Sequence, residues 1–365
     1  MEMAAVWAMV WAAAGEGGAM LGVVWSVMTG AEVSTPATNE NKGLNDAIIA
    51  VMYAVLIFVV NWSLRLLVIK PLLSSYLSEK MSQKFGQSVI EALFYGASFW
   101  LGYVIVLRQP WIWPSSDWWD GMKQQDPPHR YFGDDLKCYI LLYMGRYLQA
   151  VVSVLIEPKR KDFIEMQIHH ITTICLIGLS YNHMYNRVGV VVMLLLDPAD
   201  VPLHLAKMCK YFECATAADC LFAVFLVVFF VTRLVLYPYV VWSAHIEAGR
   251  YLEYEAAEWT CVGLLYVLLV LQCYWFGLIL KVLWKMITSG VIEDVRSDDE
   301  DDEPSQPALK TGRKSPAKSP AKSPSKSPPK SQEGSKDRQA PPTERTLRSR
   351  SRKLAAEAEA AKQQE

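Results

Sequence analysis

No two of the seven cysteines form a CxxC pair, and no His/Cys group has zinc-site spacing. Histidine is scarce. The chain has His129, His169, His170, His183, His204 and His245, with no HxxHH repeats of the kind that build di-iron lipid desaturases. Zinc-ribbon, thioredoxin-like and di-iron chemistry are therefore disfavoured, and the thiols are expected to act as small buried hydrophobes. From residue 291 onward aromatic residues are absent and β-branched residues are few. Ser, Pro, Lys, Arg and Glu take their place, so this tail cannot bury enough apolar surface to offset its chain entropy and is expected to be disordered.

What is present before residue 291 is hydrocarbon-loving sequence. Runs of about 20 apolar residues mark membrane spans, and six stand out: 46–68, 86–107, 163–184, 187–208, 216–242 and 259–284. A seventh, 136–157, is more polar; it carries Arg146 and Gln149, which should face a protein interior or a cavity. Residues 3–29 are apolar but interrupted by EGGAM, which leaves a poor signal sequence, an interfacial segment or an extra span open. The reading is an all-α polytopic membrane protein of about seven transmembrane helices.

Orientation follows from the distribution of Lys and Arg. Placing the C-terminus in the cytosol puts the short Lys159-Arg160-Lys161 connection there, together with Lys70, Lys80, Lys84, Lys207, Lys210, Lys281 and Lys285. The positive-inside rule favours that choice. At 1.5 Å per residue, His169 and His170 then lie roughly 10–13 Å inside the span that starts near the KRK loop. In the next, antiparallel span, Asp200 is roughly 10 Å from the same end and Asp197 roughly 15 Å. Two imidazoles and two carboxylates thus arrive at one depth on neighbouring helices.

Carboxylates inside a bilayer are costly, by about 2.5–3.5 kcal/mol on insertion scales, and so mark function or pairing. Asp197 and Asp200 are three apart and would share a helix face, and Pro198 between them is expected to kink the helix. Successive helix positions differ by about 100°, so only one of the two histidines should point at a reacting atom. Three readings of the cluster stay open: a catalytic centre, a His–Asp bridge that only ties helices together, and a metal site.

At these residues the chain resembles the ceramide synthases, the Lag1 branch of the TLC-domain membrane proteins. The likeness runs through KRKDF at 159–163, HHITT at 169–173, SYNHMYNRVG at 180–189, LLLDPADVPLHLAKMCKYF at 194–212, VTRLVLYPY at 231–239 and LQCYWFGLILKVL at 271–283. It covers roughly 76–303 and includes the acidic RSDDEDDE at 296–303. Two departures stand out. Leu196 occupies a place where the family often has His, and the connection 70–83 is too short for the homeobox-like segment of many animal members.

The resemblance implies transfer of a fatty acyl group from acyl-CoA to the amine of a sphingoid base (sphinganine or phytosphingosine), giving (dihydro)ceramide and CoA. His169, His170, Asp197 and Asp200 would be the catalytic set. A histidine would serve as general base, or would attack the thioester first and carry the acyl group. The acyl-carrying role is favoured, and an aspartate would support the imidazole. Lys159, Arg160, Lys161, Lys207 and Lys210 ring the expected entrance and are candidates for the CoA phosphates, with Arg146 a further substrate-binding candidate. Arg146 and Arg233 both need partners inside spans, for which Glu91 and Glu165 are available. In the family the loop before the last span, here 243–258, influences acyl length. No cofactor or metal is expected, since acyl-CoA is a co-substrate.

The expected organisation is an N-terminal lumenal segment (1–45), a first transmembrane helix (46–75), the TLC catalytic domain (76–290) and a cytosolic tail (291–365). Expected partners are acyl-CoA, a sphingoid base and membrane lipids, with a homodimer or a small accessory subunit left open and no nucleic acid. The expected location is the endoplasmic reticulum membrane, multi-pass, with RSRSR at 348–352 as a weak retention signal. The Lys-Ser-Pro repeat at 313–331 reads as a proline-directed phosphorylation array or a polybasic lipid-touching strip. The alternative from another class is a non-catalytic TLC-type protein that binds or senses lipids. A transporter is disfavoured, because the ionisable groups gather near one face.

Overall fold

The computed structural model describes residues 2–28, 43–124, 127–131, 133–157 and 161–289. The chain divides into two units, Met1–Leu309 and Lys310–Glu365, and every described residue belongs to the first. The acidic run and the Lys-Ser-Pro repeat lie outside the described residues.

Helices account for nearly all of the described chain. In order they are α1 (Glu2–Met28), α2 (Leu44–Ser63), α3 (Lys70–Leu73), α4 (Glu79–Val106), α5 (Asp134–Ile156), α6 (Phe163–Asn182), α7 (Asn186–Leu196), α8 (Asp200–Tyr211), α9 (Ala215–Phe229), α10 (Tyr237–Trp242) and α11 (Ala256–Ser289). A π-helical turn, Leu64–Ile69, joins α2 to α3, and another, Phe230–Leu236, joins α9 to α10. Short connections make successive long helices antiparallel.

Six helical stretches among the described residues are long and apolar enough to cross a membrane: Leu44–Leu73, Glu79–Val106, Asp134–Ile156, Asn186–Tyr211, Ala215–Arg250 and Ala256–Thr288. This set bears out the more polar run at 136–157 and differs from the sequence reading in one place: α6 does not qualify, although its 20 residues make about 30 Å of helix. The reason is sidedness. Ile164, Ile168, Ile171 and Cys175 form an exposed stripe on one face of α6, while His170, Thr172 and Thr173 are buried on the other. An averaged hydropathy hides a helix that is apolar outside and polar inside.

The bundle turns its apolar side chains outward as well as inward. Val55, Val59, Leu67, Val227 and Val270 are all more than half exposed, as a lipid-facing surface requires. α5 packs against α1, α2, α4 and α6, with Arg146 and Gln149 both buried, as their positions in the sequence suggested. The cysteine expectation fares worse. Cys138 is buried, whereas Cys175, Cys214, Cys220 and Cys273 are exposed. A thiol is small and weakly polar, so it is tolerated on a lipid-facing surface too.

The EGGAM stretch does not break α1. Gly17 brings that helix against α2, where an added Cβ would sit 3.3 Å from Ile49, and the Tyr53 hydroxyl donates to the Gly17 carbonyl at 2.8 Å. Glu16 finds partners in Asn45 (2.9 Å) and in Lys137 (3.7 Å), which also pairs with Asp46 at 2.8 Å. Tyr181 on α6 donates to the same Asp46. Removing Lys137 would leave the buried Asp46 without its cation.

α2 and α5 touch backbone to side chain at Gly145. A Cβ there would meet Ala50 O and Tyr53 Cβ at 2.8 Å each and Ala54 N at 3.0 Å. Gly145→Ala is therefore expected to destabilise by about 1–3 kcal/mol, the usual cost of overpacking a filled interface. Thermal unfolding in detergent checks this, and an unchanged midpoint would contradict the close approach.

Residues 107–124 and 127–131 of the connection between α4 and α5 fold over one end of the bundle. Trp119 Nε1 donates to Ser243 Oγ (2.9 Å), Ser115 Oγ to Glu247 Oε2 (2.7 Å) and Arg187 to the Asp117 carbonyl (2.6 Å). His129 lies buried in this cap with Nε2 2.8 Å from the Asp120 carbonyl, and burial pushes its imidazole down to about 4. The opposite end carries Lys161, Lys207 and Lys210.

Candidate functional site

Pro198 lacks the N–H that would continue the helix, and the chain breaks between α7 and α8 as its position predicted. The turn Asp197–Ala199 is closed by Asp200 N bonding to the Asp197 carbonyl at 3.0 Å. The break rotates the two carboxylates toward different neighbours. Asp197, on the α7 side, accepts from Ser98 of α4 and from Tyr143 of α5. Asp200, the first residue of α8, pairs with Arg233 at 2.5 Å.

Arg233 stands on the π-helical turn after α9, whose extra residue swings the guanidinium inward. It also donates to the Leu196 carbonyl (2.5 Å), one of the carbonyls orphaned by the Pro198 break, and to Gln272 Oε1 (3.2 Å). Its partner is thus Asp200 and not Glu165. Arg146 pairs with Glu91, as expected, donates to Gln149 at 2.7 Å and stacks over Phe94 at 4.8 Å.

One cavity collects His169, Asp197, Asp200, Lys207 and Lys210. Counted out to open solvent it encloses about 1410 Å³, and Phe222, Phe225, Phe229, Trp275 and Ile279 supply an apolar wall. His169 lines it with its ring 5.3 Å from Trp275. His170 is buried behind, 5.5 Å from His169, and does not line the cavity. Tyr147 holds both, with ring centroids 5.8 Å from each. The 100° argument is met: one imidazole faces the space and its neighbour packs against it.

Among the described residues neither imidazole is hydrogen-bonded to Asp197 or Asp200, and both Nδ1 atoms are buried without a partner. A His–Asp bridge is therefore not what joins these helices. Arg146 lies outside the cavity lining, and Lys161 is exposed and outside it too. Lys159 and Arg160 lie outside the described residues.

A second cavity, about 800 Å³ counted out to open solvent, shares Tyr147 and Leu196 with the first. It runs toward the capped end, lined by Ile177, Val188, Val192, Met193, Leu265 and Leu268, and closes at Trp119, Ala248, Leu252 and Tyr254. It is almost wholly apolar, and the segment 243–258 walls its far end.

Several residues here escaped the sequence reading: Ser98, Tyr143, Tyr147, Tyr95, His204 and Gln272. Two signals were available. Tyr139, Tyr143 and Tyr147 recur every four residues along α5, a polar stripe in an otherwise apolar helix, and His204 is an imidazole one turn beyond Asp200.

Comparison with known proteins agrees with this architecture. The profile of the TLC domain matches residues 84–281. Ceramide synthase 4 of Mus musculus is 35% identical over 241 residues, 64% of this chain and 60% of that protein. Ceramide synthase 4 of Homo sapiens is 33% identical over 63% of this chain and 57% of its own length. Ceramide synthase 1 LOH3 of Arabidopsis thaliana is 32% identical over 61% and 76%. The match therefore spans less than two thirds of the animal relatives and about three quarters of the plant one. A cavity lined by His169, Asp197 and Asp200 with His170 packed behind it, within a matched domain that fills more than half the sequence, places this chain in the ceramide synthase (Lag1/TLC-domain) family.

Proposed function

We propose that the protein transfers the acyl group of an acyl-CoA to the amine of a sphingoid base, giving a ceramide and free CoA. One observation carries the reading: a cavity with His169, Asp197, Asp200, Lys207 and Lys210 in its lining lies beside an apolar cavity, and the two share Tyr147 and Leu196. CoA is polar and polyanionic, so its phosphates suit the lysines at the mouth. The acyl chain suits the apolar cavity, and the thioester between them falls beside His169.

His169 attacks the thioester carbon and the C–S bond breaks, which leaves the acyl group on the imidazole and CoA as the leaving group. The sphingoid amine then forms the amide bond and the imidazole departs. Asp200 is neutralised by Arg233, whereas Asp197 is held only by two hydroxyls. Asp197 is therefore the carboxyl left to attract an ammonium and to support the imidazole. Two buried hydroxyls fix its position before substrate arrives.

The mouth faces the cytosol and the C-terminal tail lies on the same side, an orientation supported by the lysines at that end; endoplasmic reticulum membrane is the proposed location. The test is detergent-purified protein given a sphingoid base and a panel of acyl-CoAs, with product followed by mass spectrometry. Ceramide is expected with at least one acyl length, whereas lipid binding without any ceramide would favour a non-catalytic lipid sensor.

A further inference from the structure

An acylated His169 cannot also serve as a base, yet the incoming sphingoid amine arrives protonated, since an aliphatic ammonium titrates near ~10. The second half of the reaction therefore needs another proton acceptor. Asp200 is already committed to Arg233, and Asp197 accepts from Ser98 and Tyr143. His170 does not line the cavity.

We infer that His204 is that acceptor, a third imidazole of the catalytic cavity that deprotonates the sphingoid ammonium for attack on the acyl group held by His169. The inference rests on the acyl-transfer reading above. His204 lines the same cavity as His169, Asp197 and Asp200. It lies four residues after Asp200 on α8, hence on the same face, and three before Lys207. It stands between the reacting centre and the basic mouth, where a proton can leave to water. Tyr95 of α4 stacks on its ring, with centroids 5.9 Å apart and planes 21° apart, which fixes its orientation.

The step balances. R–NH3+ gives one proton to the His204 imidazole, and the free amine forms the C–N bond to the acyl carbon. The bond from that carbon to the His169 nitrogen breaks, and the second amine proton goes to the departing imidazole. His204 then releases its proton toward the mouth. The charged and titratable groups around it are Asp200 and Lys207 on its own helix, Tyr95 on α4, Tyr147 on α5, His169 on α6 and Arg233 on the π-turn. α9 and α11 face the cavity here with apolar side chains, Gln272 and Trp275.

The test separates the two half-reactions in purified full-length His204→Gln and His204→Ala. Mixing with acyl-CoA alone should release CoA in a burst of wild-type amplitude in both variants, which also reports an intact site. Transfer to added sphinganine at pH 7 should fall by about 100-fold, within the range for general-base loss. Raising the pH to 9 should recover most of that loss, because a larger share of the ammonium then loses its proton to solvent without help. Wild-type transfer at pH 7, a defect that ignores pH, or loss of the burst in both variants would overturn the role of His204. Absence of ceramide from the wild-type protein would instead sink the acyl-transfer reading itself.

Discussion

His169→Ala is expected to abolish ceramide formation while the protein still inserts, purifies and unfolds at a near-native temperature. The imidazole makes no hydrogen bond that the fold needs. Its Nδ1 is unpartnered, and its contacts are ring contacts with Tyr147, His170 and Trp275. Removing a nucleophile takes away the covalent route entirely, so turnover should drop by a factor on the order of 10³ or more. His170→Ala should also stop turnover, but by a different cause. Its ring packs against His169 and Tyr147, and without it the His169 ring loses the wall that fixes its rotamer. Ceramide formation by either alanine variant at wild-type rate would remove that histidine from the mechanism.

Asp197→Asn and Asp200→Asn should both be severely impaired, and their stabilities should differ. At Asp197 the two partners are hydroxyls, which can turn to accept as well as donate, so the amide is tolerated and the loss falls on activity. The expected drop is about 10²–10³ in turnover, comparable with removal of one preorganised electrostatic group. At Asp200 the amide strips the buried Arg233 of its counter-charge while the bonds to Leu196 O and Gln272 Oε1 remain. Stability should fall by about 1–3 kcal/mol. The double variant Asp200→Asn with Arg233→Met should regain part of that stability without regaining activity. A double-variant cycle by thermal unfolding measures the coupling. Additive losses would show that the pair is not a unit.

The depth of the chemistry was legible because helix rise is fixed: His169, His170, Asp197 and Asp200 could be placed at one level from the positions of the KRK loop and Lys207 alone. The break at Pro198 was legible for the same reason, since a missing N–H has a local consequence. What could not be read was azimuth. Spacing tells that Asp197 and Asp200 share a face of an unbroken helix, but the break turns them to Ser98 and Tyr143 on one side and Arg233 on the other. Arg233 itself reaches Asp200 only because a π-turn adds a residue to its helix, and local sequence does not announce that insertion. α6 reads as an apolar run in the sequence yet averages to an unremarkable hydropathy, because its polar inner face and apolar outer face cancel. The continuity of α1 through EGGAM depends on partners in α2 and α5 more than a hundred residues away along the chain in the case of Lys137.

Intact-protein mass spectrometry after mixing purified enzyme with acyl-CoA in the absence of sphingoid base tests the acyl-carrying role directly. A mass increment equal to one acyl group should appear, map to His169 and disappear on addition of sphinganine as ceramide forms. Rapid ceramide formation with no such increment, or an acyl group on any side chain other than His169, would contradict it.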